Sequence, residues 1–343
     1  MNQLNLVVPG LLGPFANELP VYVKQQLNEP EFNLINKCLS RADVSDTGAD
    51  NYYETLVQLI NPENDVSVCQ LTSELDGVDT SNACFYRADP VHFKAESDHA
   101  ILIGPELVKP EMHEVDQLIA KFNEHFAEDN ISLHATNERR WYLKSNRPLA
   151  LSFSALDYAL GRDIKHFMPQ GEDELWWRKI VNEAQMLFFQ HEVNELRENQ
   201  GLLSINGLWL WDMVFDQGTC NNCLPDKLYS NDAFAISLVA STATSVSENR
   251  EIQICSVDKM EEINSDAVLV LDQLYETVCY GDVGAWLKDL KHFCDEDFKR
   301  VVKLLMSRKI DVINIYPCNG QVFKINRFNL FKFWRQNKTL LNT

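Results

Sequence analysis

Short apolar runs and helical stripes alternate along the chain. Residues 4–9 (LNLVVP) form an apolar run that stops at Gly10, which is typical of a buried strand that ends in a loop. Helical spacing of apolar residues follows over residues 20–27, 31–39 and 52–60. Strands that alternate with helices predict an α/β sheet protein.

The alternation of apolar runs and helical stripes is broken by a polar stretch in the middle of the chain and continues after it. The polar stretch at residues 73–82 is a candidate domain boundary. Residues 111–130 place their apolar side chains on one stripe, which predicts an amphipathic helix. Residues 173–201 form the strongest helical segment, ended by a glycine as a helix C-terminus often is. A strand is predicted at residues 206–211.

Two shorter apolar runs complete the predicted elements. Residues 83–90 (ACFYRADP) predict a strand that ends at Pro90. Residues 233–240 (AFAISLVA) form a run of strand size, and for this run helix and strand both stay open.

Composition bounds the class of protein. The chain has 343 residues, of which 45% are apolar, and 31 Lys and Arg against 50 Asp and Glu give a formal net charge of −19. This length and apolar content predict one large folded domain or two modest ones. An acidic surface repels phosphate backbones and anionic headgroups, and no basic cluster is visible, so neither nucleic acid nor a membrane is expected as a partner.

The amino terminus and the cysteines indicate a cytoplasmic protein. The first residues carry neither a basic segment nor a small-residue cleavage site, so they predict a buried strand rather than a signal peptide. The nine cysteines lack framework spacing and are expected as reduced thiols. Cys220 and Cys223 form a CxxC pair, which is interpreted as a turn; a redox dithiol and half a zinc site are the alternatives.

Chemical motifs of the common enzyme classes are absent from the sequence, but several local strings occur in a particular order. The most specific spacing joins residues that match the pattern HPxNxxRxxxGxxxAN, with Glu in place of Pro: His191, Asn194, Arg197, Gly201 and Asn206. This order of strings resembles the archaeal type of cofactor-independent phosphoglycerate mutase, in the alkaline-phosphatase superfamily. It resembles most a proteobacterial branch described as mutase-like or as pathogenicity-factor regulatory proteins.

The resemblance implies a fold and domain boundaries. It implies a three-layer α/β core of the alkaline-phosphatase type with a smaller α+β cap inserted into it. The expected boundaries are a first core segment at residues 1–75, the cap at 76–180 and a second core segment at 181–343. Within the cap, Tyr86, Arg87 and Asp89 correspond to the FRxN string of the family, with Asp in place of Asn.

The resemblance also implies a two-metal phosphoryl-transfer site, for which this sequence lacks residues. The family needs an Asp at the end of the first strand and several His and Asp near the carboxyl terminus, whereas no Asp precedes Asp43 and only His292 follows His191. We therefore expect no metal, no cofactor and no catalytic residue from the family set. A rebuilt carboxylate site for Mg²⁺ or Mn²⁺ is the alternative, and its candidate ligands are Asp266, Asp272 and Asp282.

Basic residues in the family-like strings predict anion binding. A guanidinium meets a phosphate or carboxylate through two parallel hydrogen bonds, so Arg87, Arg162 and Arg197 are the candidate clamp for a small phosphorylated or carboxylated metabolite. Contacts to the same ligand are expected from the residues His191, Asn194 and Asn206. For the arginines the alternative is ion pairing within the protein, and for the asparagines it is satisfaction of buried backbone groups.

The sequence is compatible with three functions. The first is a regulatory or metabolite-binding pseudoenzyme on a mutase-like scaffold. The second is a diverged metal-dependent mutase or phosphatase, and the third is an adaptor that binds a protein partner. The stripe of Phe328, Phe331 and Trp334 is expected to dock a terminal helix on the sheet, or to bind that partner if it is exposed.

Overall fold

The structure is a computed structural model, and it describes residues 2–14, 20–60, 65–80, 83–215, 224–243 and 252–331. Within these residues the strands are β1 Gln3–Val7, β2 Asp43–Asp46, β3 Val66–Ser67, β4 Cys84–Ala95, β5 Ala100–Ile103, β6 Ile131–Ala135, β7 Trp141–Ser145, β8 Leu151–Ser152, β9 Gln170–Gly171, β10 Gly207–Trp211, β11 Val214–Phe215, β12 Lys227–Tyr229, β13 Gln253–Cys255, β14 Ala267–Val270, β15 Val312–Tyr316 and β16 Gln321–Asn326.

The α-helices of the same residues are α1 Val21–Gln26, α2 Asn33–Arg41, α3 Tyr52–Ile60, α4 Val68–Leu75, α5 Pro105–Val108, α6 Met112–His125, α7 Leu156–Ala159, α8 Glu174–Phe189, α9 Glu192–Asn199, α10 Ala233–Ala243, α11 Tyr275–Cys279, α12 Val283–Phe293 and α13 Lys299–Met306. None of the helices described combines the length and the apolar character that crossing a bilayer requires.

The chain divides into two compact units. Unit 1 consists of residues 1–65 and 215–343, and unit 2 consists of residues 66–214. The predicted boundaries after residues 75 and 180 differ from these. The second boundary falls too early because β10 is hydrogen-bonded to β4, so the beginning of the predicted second core segment belongs to unit 2.

Unit 1 is built on a seven-stranded sheet in the order β13-β12-β14-β1-β15-β16-β2. The strands from β13 to β15 run parallel, whereas β16 runs antiparallel to β15 and to β2. In the register of the centre, Leu6 of β1 lies beside Leu269 and Ile315, and all three side chains are buried. Parallel strands covered on both faces require such continuous apolar runs, and this sheet confirms the predicted α/β class.

The core of unit 1 joins the sheet to helices from both chain segments. Ile35 of α2, Trp286 of α12 and Leu305 of α13 pack in the same buried cluster as the strand residue Leu6. Burying a side chain of this size stabilises the fold by about 1.5–3 kcal/mol relative to exposing it. The cluster therefore holds the strands of the sheet and the helices in one core.

Unit 2 is an antiparallel sheet with helices packed on it. Its strands follow the order β10-β4-β7-β6, and β5 pairs with the far part of β4. The ring of Phe188 on α8 lies 6.5 Å from those of Trp141 on β7 and Phe122 on α6, measured between centroids. These aromatic contacts hold α6 and α8 against the strands.

Three predicted elements differ from the structure. The helix predicted over residues 173–201 is broken between α8 and α9, where the ring of His191 accepts the N–H of Val193 and caps a new helix. β4 continues past Pro90 to Ala95, since β7 pairs only as far as Arg87 and a strand with one paired edge tolerates proline. The open run at 233–240 belongs to the helix α10.

Candidate functional site

The carboxyl end of β1, the central strand of unit 1, is closed by apolar packing. The indole N–H of Trp286 donates to the carbonyl of Gly10 at 3.0 Å, and the indole ring is fully buried. A Cβ atom on Gly10 would lie 2.7 Å from the side chain of Val278, and one on Gly13 would lie 3.1 Å from the Trp286 ring. The two glycines have φ values of +80° and +86°, so the loop needs them for its backbone as well as for space.

Polar side chains gather at neighbouring strand ends of the same edge. Asp232 follows β12, Asp272 follows β14 and Cys318 follows β15, while Tyr52 opens helix α3. The carboxyl ends of parallel strands meet at one edge of a sheet, which is where ligands bind in open α/β folds. The four residues are close enough for Asp232, Asp272 and Cys318 all to act on the Tyr52 hydroxyl.

Tyr52 is the most buried residue of this group. Its side chain is 4% exposed, and its hydroxyl faces Asp232 without a hydrogen-bond partner in bonding geometry. Burial raises the pKa of the Tyr52 hydroxyl well above its usual value, and the charges of Asp232 and Asp272 raise it further. The hydroxyl is therefore protonated at neutral pH and can accept or donate one hydrogen bond.

Aromatic rings surround Tyr52. Its ring centroid lies 5.5 Å from that of Tyr275 and 5.5 Å from that of Tyr53, and Tyr53 in turn lies 5.2 Å from Phe234. Tyr53 and Tyr275 are half-buried, so part of each ring is accessible to solvent. We call the group of Tyr52, Tyr53, Asp232, Asp272 and Tyr275 the acidic–aromatic cluster.

Local structure holds the cluster in place. The Asp232 carboxylate accepts the N–H of Ala235 at 2.8 Å and so caps helix α10, as expected for an Asp before a helix. The Asn51 side chain accepts the N–H of Glu54 at 2.9 Å in the first turn of α3. The two helix starts thereby fix the positions of Asp232 and Tyr52.

Cys318 borders the cluster. Burial raises the pKa of its thiol to about 12, so the thiolate form is scarce. Its backbone has a φ of +64°, in the left-handed region that non-glycine residues rarely adopt. The residue therefore shapes the loop after β15.

Arg197, a predicted anion ligand, is a buried structural residue of unit 2. Its side chain is 1% exposed and forms an ion pair with Glu114. Its remaining nitrogens donate to the carbonyl of Leu203 at 2.8 Å and to that of Val108. All three nitrogens are thus bonded inside the protein, as in the structural alternative, and anion binding by Arg197 stays a prediction.

Arg87 is likewise bonded to groups inside unit 2. It forms a bidentate pair with Asp89, with N···O distances of 2.8–3.0 Å, and Asp89 is fully buried. The guanidinium carbon lies 5.0 Å from the ring centroid of Trp211 and 5.7 Å from that of Tyr142. The Tyr86, Arg87 and Asp89 string is thus a buried ion pair between aromatic faces rather than an open anion site.

The two predicted asparagines and His191 tie backbone segments together. The Asn194 amide donates to Phe188 and Ile205 carbonyls at 2.8 and 2.9 Å and accepts the N–H of Ile205 at 2.7 Å. Asn206 exchanges two bonds with the backbone of Phe93, at 2.7 and 3.2 Å. Together with the helix cap formed by His191, these bonds match the structural alternative, and the ligand contacts stay a prediction.

Arg162 is the exposed member of the predicted clamp. Its guanidinium carbon lies 5.8 Å from the ring centroid of Phe167, and its carbonyl accepts the N–H of Leu102. It lies on the loop after α7, whereas Arg197 lies on α9 and Arg87 on β4. With those two bonded internally, no clamp of three arginines forms, and anion binding by Arg162 alone stays a prediction.

The alternative carboxylate ligands do not converge. Asp266 precedes β14 and accepts the N–H of Gln3 at 2.7 Å, whereas Asp272 follows the other end of β14. Asp282 caps helix α12 through the N–H of Ala285 at 2.9 Å. In the part of the chain that the structure describes, no three His, Cys, Asp or Glu side chains are grouped so as to hold a metal ion.

Two further predictions involve residues outside the described ones. Cys220 and Cys223 lie at 216–223, outside the described residues, and so does Trp334. Phe328 and Phe331 are 81% and 66% exposed, so the expected docking of this stripe on the sheet is wrong for these two rings. A protein partner at this stripe stays a prediction.

Sequence reasoning missed most of the acidic–aromatic cluster. Asp272 entered only as a metal ligand, and Tyr52, Tyr53 and Asp232 were not singled out. The one available signal was position, because Asp232 and Asp272 each follow an apolar run that ends a parallel strand. Nothing in the spacing of residues 52, 232 and 272 indicates that they meet.

Comparison with known proteins gives similarity at the level of solved structures. No protein-family model matches the chain, and no curated protein matches it. The PH0037 protein from Pyrococcus horikoshii is 13% identical over 95% of this chain and 87% of that chain, with a TM-score of 0.46. The cofactor-independent phosphoglycerate mutase from Thermoplasma acidophilum is 13% identical over 99% of this chain and 94% of that chain, with a TM-score of 0.40.

Proposed function

We propose that this chain is a phosphoglycerate-mutase-like pseudoenzyme, a regulatory or metabolite-binding protein that does not carry out two-metal phosphoryl transfer. The observation that carries the proposal is the packing of Trp286 against Gly10 and Gly13 at the carboxyl end of β1. The resemblance requires a metal-ligating Asp at the end of the first strand. Here an indole ring and the Val278 side chain occupy that position.

The residues on which the resemblance rests support the same proposal. Arg197 and Asn194 direct their hydrogen-bonding groups to Glu114 and to backbone atoms of unit 2. Their spacing is therefore explained by the fold of unit 2 without any role in phosphoryl transfer. A scaffold retains such residues for stability whether or not it still catalyses a reaction.

The acidic–aromatic cluster supports a binding role. Polar groups at the carboxyl edge of a parallel sheet are placed where ligands enter, and the buried Tyr52 hydroxyl lacks a partner there. A small metabolite bound at this edge would supply that partner. Binding of a metabolite without chemistry suits a sensor or regulator.

The test is metal content combined with turnover. The full chain is purified without chelator, its metals are measured, and conversion of 3-phosphoglycerate to 2-phosphoglycerate is assayed with added Mn²⁺. The Thermoplasma acidophilum mutase serves as the positive control for the assay. We expect substoichiometric metal and no turnover above background. About two metals per chain together with turnover would replace the proposal by a diverged metal-dependent mutase.

A further inference from the structure

The acidic–aromatic cluster of unit 1 has the chemistry of a site for a cation. Two carboxylates, Asp232 and Asp272, face one buried hydroxyl, and the rings of Tyr53 and Tyr275 flank it. Aromatic faces carry negative electrostatic potential and attract ammonium groups within about 6 Å of the ring centroid. The charges that act most strongly on Tyr52 are therefore of the sign that repels phosphate.

We propose that the acidic–aromatic cluster binds a small organic amine through a primary ammonium group. This proposal rests on the proposed function, since it names the class of metabolite for that binding role. The ammonium has three N–H donors, which suit the Asp232 and Asp272 carboxylates and the Tyr52 hydroxyl as acceptors.

The unpaired Tyr52 hydroxyl is the independent observation that separates a ligand site from an ordinary acidic surface. A buried hydroxyl without a partner costs about 1–3 kcal/mol, so native proteins leave few of them. Tyr52 is 4% exposed and its hydroxyl points at Asp232. A donor placed beside this oxygen would give the hydroxyl a partner and would also lie next to the two carboxylates.

The distribution of exposure fits a ligand that enters from one side. Tyr52 is buried, Asp232, Tyr53 and Tyr275 are half-buried, and Asp272 is exposed. An ammonium group would reach Tyr52 while the rest of the amine lies along the accessible parts of the rings. The net charge of −19 adds a long-range attraction for cations, which salt weakens.

The experiment is calorimetric titration of the full chain with putrescine, the diamine used as the probe, at about 0.15 M salt. We expect saturable binding of one putrescine per chain. Tyr52→Phe, which keeps the ring and removes the hydroxyl, should weaken the affinity about threefold to tenfold. Asp272→Asn should weaken it at least about tenfold, because a charge-assisted contact is lost.

Matched controls separate this site from general attraction to an acidic protein. Asp116 is exposed on α6 in unit 2, so Asp116→Asn removes the same charge elsewhere and should leave the affinity unchanged. Equal weakening by Asp116→Asn and Asp272→Asn would overturn the proposal, and so would the absence of saturable binding. Retained melting temperature in both cluster variants shows that they fold.

Competition distinguishes the other ligand classes. Displacement of putrescine by stoichiometric Mn²⁺ would overturn the amine proposal in favour of a metal site, and binding of inorganic phosphate in place of putrescine would overturn it in favour of an anion site. If putrescine does not bind and mutase turnover is also absent, only the ligand class is wrong. If turnover appears, the proposed function fails whatever the titration shows.

Discussion

Two buried polar regions of this protein differ in how completely their groups are paired. In unit 2, Arg197 bonds to Glu114 and two carbonyls, and Arg87 bonds to Asp89 and contacts two aromatic faces. In unit 1, the equally buried Tyr52 hydroxyl faces carboxylates without a bond. A paired polar group stabilises its surroundings, whereas an unpaired buried one costs free energy.

This contrast separates the residues of the family-like strings from the region of the proposed binding role. The family-like strings that carry Arg87 and Arg197 lie in the paired region of unit 2. The unpaired hydroxyl of Tyr52 lies outside the strings that carry Arg87 and Arg197. Experiments that remove one group from each region test whether this division is real.

Loss of a buried ion-pair partner should have the strongest effect on stability. Arg197→Leu leaves Glu114 buried without its cation and should lower the free energy of unfolding by about 3–5 kcal/mol. Urea unfolding followed by tryptophan fluorescence measures this change in the free energy of unfolding. The exposed Arg178 on the adjacent helix is the control, and Arg178→Ala should cost about 0.5 kcal/mol or less. A loss under about 1 kcal/mol for Arg197→Leu would restore Arg197 as a candidate ligand.

A smaller effect is expected from the asparagine that ties α9 to β10. Asn194→Ala leaves the backbone groups of Phe188 and Ile205 without partners and should cost about 1–3 kcal/mol. The exposed Asn182 of α8 provides the comparison, because Asn182→Ala should change stability by about 0.5 kcal/mol or less. Equal costs for the two variants would contradict the structural role of Asn194.

Acid should weaken unit 2 through its paired carboxylates. Burial raises the pKa of Asp76, but hydrogen bonds from Arg140 and Tyr142 outweigh it and leave the pKa below its usual value. The hydrogen bonds from Arg147 lower the pKa of Asp173 to about 2. Because both carboxyls hold protons less tightly in the folded state, the stability they contribute is present above about pH 4 and is lost as the pH falls toward about 2.

The measurement is urea unfolding at several pH values between about 5 and 2. The slope of stability against pH should be smaller in Asp76→Asn, which lacks one of the two groups. An unchanged slope in Asp76→Asn would show that the bonds from Arg140 and Tyr142 do not lower the pKa of Asp76 in the folded protein.

The weakest effect on stability should come from removing the unpaired hydroxyl of Tyr52. Tyr52→Phe removes a hydroxyl that has no partner, so the free energy of unfolding should stay within about 0.5 kcal/mol or rise. Tyr142→Phe is the matched variant, because that hydroxyl donates to Asp76 at 2.6 Å and its loss should cost about 1.5–3 kcal/mol. A comparable loss in both variants would show that Tyr52 is already paired in the free protein.

Periodicity predicted much of the fold because it reflects burial directly. The first strand, the helix within residues 111–130 and the strand at 206–211 are present as β1, α6 and β10. The break after α8 was missed because it depends on one ring nitrogen of His191 that replaces a backbone partner. Residues 233–240 stayed open because an apolar run carries no period to distinguish a helix from a strand.

The candidate site was largely unpredictable for a different reason. Arg197 and Arg87 carry the charge that suits an anion, and only three-dimensional structure reveals that Glu114 and Asp89 already neutralise them. Tyr52, Asp232 and Asp272 come from three separate chain segments joined by the strand order of the sheet. The spacing of residues within a motif cannot predict a contact between segments that are far apart in the sequence and are brought together only by the order of the strands.

Anomalous diffraction from crystals of the full chain, grown with Mn²⁺ and in parallel with putrescine, would test the closed strand end and the binding role together. We predict no manganese peak at the carboxyl edge of the sheet, and putrescine density between Tyr52, Asp232 and Asp272. A pair of manganese peaks beside Gly10 and Asp272, with the Trp286 ring displaced, would contradict both the closed strand end and the binding role inferred from it.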